Sequence, residues 1–100
     1  MELLSEISAL DRTVQSWGFA TVQHFANEQA KNILQQKMAY YKSKVDFFEQ
    51  KYTLNFVEFC KKFDEIKNHS LLEKEDDSLH WETAIDVIES YQFEFDALFL

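Results

Sequence analysis

The sequence predicts an all-α protein of about four helices, built around one long central helix. Three observations carry that reading. The 100 residues include no proline and one glycine, Gly18, so the chain lacks the frequent turns that a sandwich or barrel needs. Hydrophobic residues make up 46% and aromatics 16%, with ten phenylalanines, which excludes disordered and low-complexity classes. The apolar residues also recur at alternating spacings of three and four, the period of a helix face. A chain of this length forms one domain.

Leu3, Ile7, Leu10, Val14 and Trp17 lie at spacings of 4, 3, 4 and 3, which predicts a first helix over about residues 2–17. Gly18 ends it, because glycine enters the left-handed cap conformation without penalty. Thr21 is the N-cap candidate for a second helix over about 22–52. There Leu34, Met38, Tyr41, Val45, Phe48 and Tyr52 form a stripe at spacings of 4, 3, 4, 3 and 4. Thirty-one helical residues would span about 46 Å, against a radius of gyration of about 13 Å for a compact domain of this length. The stripe is therefore expected either to break, near Lys31 or Lys37, or to pack against a second copy. A homodimer through Leu34, Met38, Tyr41, Val45, Phe48 and Tyr52 is the expectation, of antiparallel or bundle type because the stripe holds aromatics and Met.

Asn55, with Glu58 three residues on, predicts a capping box and a third helix over about 56–67. Its face is Phe56, Phe59, Cys60, Phe63 and Ile66, so Cys60 reads as a buried structural thiol. The charged stretch 68–77 reads as an exposed connector. Asp77 or Ser78 would cap a fourth helix over about 78–98, with Trp81, Ala84, Ile85, Ile88, Tyr91, Phe95, Leu98 and Phe99 on its apolar face. Phe93 falls off that stripe, beside the acids Glu82, Asp86 and Glu89.

Formal net charge is −8, and it is concentrated: residues 73–100 hold nine acids and one lysine, while residues 1–72 are balanced. Such a chain repels phosphate backbones, so no nucleic-acid partner is expected. The acidic end suits a basic protein partner or plain solubility. No basic, apolar leader opens the sequence and no run approaches the length of a membrane span, so a cytoplasmic protein is expected. A lone cysteine makes no internal disulfide.

Motifs for chemistry are sparse. His24, His69 and His80 form no His-x-x-x-His pair, and the sequence contains no Cys-x-x-Cys or glycine-rich phosphate loop. Asp77-x-x-His80 could place two ligands on one helix face, but Asp77 as an N-cap and His80 in the first turn account for it. Cys60 has no neighbouring base in the sequence. No cofactor, metal or enzymatic activity is expected.

Trp17-Gly18-Phe19-Ala20-Thr21, then Lys51-Tyr52-Thr53-Leu54-Asn55-Phe56-Val57-Glu58-Phe59, then Asp76-Asp77-Ser78-Leu79-His80-Trp81-Glu82-Thr83-Ala84 form an ordered set. The set resembles small acidic prokaryotic proteins whose middle reads roughly K-Y-G-M-S-F-E-E-F and whose last helix reads roughly D-x-x-x-W-E-A. These are antitoxin-like members of two-gene toxin–antitoxin modules. Thr53 stands where their glycine falls, and Leu54 where they have Met. Many antitoxins open with a basic DNA-reading strand, whereas this chain opens at helical spacing with Arg12 its only base before Lys31. The resemblance thus implies a partner-neutralising role rather than a repressor role. The expected mechanism is occlusion of a basic protein: Trp81, Tyr91, Phe93 and Phe95 anchor it, and Asp86, Glu89 and Glu94 steer it. A structural homo-oligomer and a DNA-binding regulator are the alternatives, the second disfavoured by charge.

Overall fold

Thr21, Asn55 and Ser70 each open a helix by accepting a backbone N–H on a side-chain oxygen, from His24 at 3.0 Å, Glu58 at 2.9 Å and Glu73 at 3.1 Å. The computed structural model describes residues 2–99, with side chains over 9–99. The fold is all-α: α1 (Glu2–Ser16), α2 (Val22–Tyr52), α3 (Phe56–Lys61), a 3₁₀ turn (Phe63–Glu65) and α4 (Leu71–Ala97).

Helix α1 ends as expected. Gly18 sits at φ 96°, its N–H bonds the Gln15 carbonyl, and the Phe19 N–H bonds the Val14 carbonyl, both at 3.0 Å. This is a Schellman cap, which needs a residue tolerant of positive φ. The corner into α2 is held further by Asp11, whose carboxylate accepts the Val22 N–H at 3.2 Å. Leu3 and Ile7 of the predicted α1 seam lie outside the described side chains.

Helix α2 runs unbroken past Lys31 and Lys37, and α4 folds back along it. Contacts step down α4 as they step up α2: Asn27 to Leu98, Tyr41 to Tyr91, Phe48 to Trp81, and Lys51 to Asp77. Two interleaved seven-residue repeats supply each side of this antiparallel seam. On α2 they are Lys31, Met38, Val45, Tyr52 and Leu34, Tyr41, Phe48; on α4, Lys74, Trp81, Ile88, Phe95 and Asp77, Ala84, Tyr91, Leu98. All are buried or half-buried, and the seven-residue period is that of a left-handed coiled coil. The stripe expected to meet a second copy is therefore covered by α4 of the same chain. This corrects the expected self-association surface.

The core lies at the closed end of the hairpin. Phe48, Tyr52, Phe59 and Trp81 are buried there, ringed by Val45, Leu54, Phe56, Phe63, Ile66 and Ile85. Trp81 is stacked on Phe48 at 5.6 Å and lies 5.1 Å from Phe59 and 5.3 Å from Phe56. The capping box is complete, since Glu58 Oε1 accepts the Asn55 N–H at 3.2 Å.

Three expected boundaries or placements change. Helix α3 stops at Lys61 and passes into the 3₁₀ turn instead of running to 67. The acidic stretch 71–77 is not a connector but the first two turns of α4, capped by Ser70 rather than by Asp77 or Ser78. Cys60 is exposed, because a helix this short turns Phe59 inward and leaves its neighbour outside.

The molecule is long, 70 × 22 × 19 Å with a radius of gyration of 21.2 Å. Its long axis exceeds the roughly 46 Å of α2, so α1 extends beyond the open end of the hairpin.

Candidate protein-binding faces

On α4, Glu82, Asp86, Glu89 and Phe93 follow one another at spacings of 4, 3 and 4, which places them on one side of the helix. All are exposed, and Phe93 is 78% exposed, the most open of the large apolar side chains among the described residues. Glu94 is exposed too, but as Phe93's neighbour it points about 100° away. Of the seven residues expected to grip a partner, then, Asp86, Glu89 and Phe93 come together and Glu94 stands apart.

The other three face inward to different degrees. Trp81 is fully buried among Phe48, Tyr52, Phe56 and Phe59, so it anchors the core and no partner. Tyr91 is half-buried with its ring 6.2 Å from Tyr41. Phe95 is half-buried and edge-on to Phe99 at 5.1 Å. The anchoring role expected of Trp81 is thereby corrected: the largest side chain of the stripe occupies its most enclosed position.

A polar cluster crosses the seam beside the core. Lys51 Nζ lies 2.6 Å from both Asp77 Oδ2 and Glu73 Oε2, and the Tyr52 hydroxyl donates to Asp77 Oδ2 at 2.5 Å. His69 Nδ1 lies 3.2 Å from Glu73 Oε1, with its ring edge-on to Tyr52. Hydrogen bonds to Asp77 and Glu73 raise the Lys51 pKa. Burial alone would raise that of Asp77, but the bonds from Lys51 and Tyr52 prevail and lower it. Glu73 is lowered, chiefly by Lys51. Burial and donation to Asp77 push the Tyr52 hydroxyl well above an ordinary phenol. Lys51, Tyr52, Glu73 and Asp77 are thus each held in the charge state their neighbours satisfy, which makes them an electrostatic clamp between α2 and α4.

Lys74, the one buried charged side chain among the described residues, does related work. Its Nζ donates to the Phe63 and Ile66 carbonyls at 2.7 and 2.9 Å and lies 4.5 Å from the Phe63 ring centroid. A cation at a seam position thereby ties down the irregular segment between α3 and α4.

Two open grooves flank the seam along the hairpin, of about 750 and 660 Å³, and a third of about 680 Å³ lies at its open end beside Thr21, Asn27 and Leu98. Size does not separate them, but lining does. The first is built from Tyr41, Lys44, Phe47, Leu79, His80 and Ala84. Phe47 and Leu79 there are 61% and 63% exposed. The second, on the opposite side, mixes Met38, Val45, Ile85 and Ile88 with the charged Lys42, Asp46, Glu49 and Glu89.

Among the described residues no group of three or more His, Cys, Asp or Glu side chains is placed to hold a metal ion. No helix among the described residues is long and apolar enough to cross a membrane. Comparison with protein-family models, curated proteins and solved structures finds no match for this chain.

Proposed function

We propose that this protein acts by binding another protein, as an antitoxin-like neutralising module, through the outer side of α4. Phe93, open to solvent among Glu82, Asp86 and Glu89, is the observation that carries the reading. An exposed aromatic supplies hold by shedding water on contact, and surrounding carboxylates steer a basic partner and fix its orientation. Helix α4 carries nine acids against one lysine, so any such partner must be basic. Occlusion of the partner's surface needs no chemistry from this chain, and a cytoplasmic setting would keep Cys60 reduced.

The test is retention of a basic protein by immobilised wild type, compared with Phe93→Ala and with a variant carrying Asp86→Asn and Glu89→Gln. Wild type should hold one basic protein stoichiometrically. Phe93→Ala should release it faster, and the neutralised variant should bind more slowly with a weaker salt dependence. Equal retention by all three would remove the outer side of α4 from the function.

A further inference from the structure

We infer that a second copy of this chain covers the Phe47–Leu79 groove, so that two helical hairpins close into an isologous four-helix bundle. The argument starts from surface. A compact monomer of 11.9 kDa would expose about 5,900 Å², whereas this chain exposes 7471 Å². The excess, about 1,500 Å², is nearly twice the roughly 800 Å² that one partner contributes to a standard interface. Part of it belongs to α1 beyond the hairpin, and the hairpin supplies a suitable face. Along α4, about 40 Å long, the molecule is about 20 Å across, so one side of the hairpin offers on the order of 800 Å².

Composition selects which side. Ile33, Tyr40 and Phe47 recur every seven residues along one flank of α2 and are all more than half exposed. Leu79 lines the same groove from the α4 side. A repeat in step with the seam but lying beside it is what a third helix would pack against. The opposite groove lacks such a stripe and is edged by Asp46, Glu49 and Glu89.

Charge selects both the occupant and its orientation. Helix α2 carries five lysines and three acids, and α4 nine acids and one lysine. Placing α4 on its own copy would set like charges together. Asp76, whose carboxylate lies 3.9 Å from the groove's His80, is the α4 acid beside this groove, so placing α2 on the α4 of the second copy sets Lys44 toward Asp76 twice, once for each half of the dyad. Lys44 lines the groove and would face that second α4. Glu89 lies on the other groove, so the dimer leaves the acidic side of α4 open, and this inference stands independently of the proposed function.

Sedimentation equilibrium and light scattering on the full chain at about 100 µM test it. Wild type should have twice the 11.9 kDa chain mass. Phe47→Lys and Leu79→Lys, both at exposed positions, should give monomers with unchanged far-UV circular dichroism. Ala39→Lys, in the opposite groove, should remain dimeric. Lys44→Glu should raise the dimer dissociation constant about tenfold at low salt, the difference shrinking in about 1 M salt where the Debye length falls to about 3 Å. A monomeric wild type overturns the inference. So does an assembly that survives both Phe47→Lys and Leu79→Lys, or one that Ala39→Lys dissolves.

Discussion

Thr53 closes α2 in the left-handed region, at φ 55° and ψ 33°. It is the only non-glycine among the described residues with positive φ. For a β-branched residue this conformation is a true outlier, because the side chain crowds the following carbonyl. The strain is worth about 1–2 kcal/mol. Replacing Thr53 with glycine relieves it, and returns about 0.5–1 kcal/mol through the greater freedom glycine has in the unfolded chain. Little else is lost. Thr53 is exposed, and its hydroxyl bonds only the adjacent Tyr52 carbonyl, at 2.6 Å. Thr53→Gly should therefore stabilise the fold by about 0.5–1 kcal/mol, or roughly 2–8 °C in melting temperature for a domain of this size. Urea unfolding should show a higher midpoint with an unchanged slope, since the buried surface is the same. Thr53→Ala serves as the control: alanine removes the hydroxyl and the branch but keeps Cβ, so most of the penalty remains. A Thr53→Gly midpoint at or below wild type refutes the argument, as does a Thr53→Ala gain equal to that of glycine.

Four further outcomes follow from the closed end of the hairpin. Trp81→Ala empties the centre of the core and should cost about 3–5 kcal/mol in urea unfolding. Trp81→Phe should cost under about 2 kcal/mol, because its smaller cavity is partly offset by removing a buried indole N–H that has no partner. Lys74→Met keeps the apolar stem but strips the ammonium from two carbonyls, for a loss of about 1–3 kcal/mol. The clamp sets the pH response. Asp77 and Glu73 have lowered pKa values in the fold, so their contribution is present above the ordinary carboxylate range, near 4, and is lost as pH falls through the lowered values. Lys51 is raised, so its contribution is present below about 10.4 and is lost as pH rises through the folded value. Asp77→Asn should therefore melt lower than wild type at neutral pH and show a flatter decline on acidification, measured by thermal unfolding from pH 7 to 2.

How much of this was legible in the sequence depends on whether a position's neighbours were local. The bounds of α2 were, because Thr21 caps it and nothing interrupts its stripe before Tyr52. The Gly18 cap and the Asn55–Glu58 box were as well, each needing residues only a few positions apart. The start of α4 was hidden by Lys74 and Asp77. Both sit where the seam calls for apolar side chains, and both are tolerated because distant groups receive them: the Phe63 and Ile66 carbonyls, and Lys51 with Tyr52. Ser70-x-x-Glu73 was a local signal for that start, although Glu73 turns its carboxylate to Lys51 and His69. The stripe on α2 announced a partner but could not say that α4 supplies it. Likewise aromatic content marked the last helix as a binding element, but only the fold separates Trp81, sealed in the core, from Phe93, open to solvent.

The same polar groups explain why the hairpin holds one register. Seven-residue repeats on both helices mean that sliding α4 by one heptad would still set apolar rows against apolar rows. It would also bring Asp77 near Lys44 in place of Lys51, so charge pairing alone would tolerate the slip in that direction. Trp81, however, would lose the pocket formed by Phe48, Phe56 and Phe59. Lys74 would carry its ammonium away from the Phe63 and Ile66 carbonyls, leaving a charge buried without acceptors. At the far end Asn27 would lose the Leu98 carbonyl that its side-chain amide reaches at 3.1 Å. The apolar repeats thus supply adhesion without discriminating among registers. Discrimination comes from the few seam positions where a polar or oversized side chain has one acceptable neighbour, which is the role a buried polar residue has in a coiled coil.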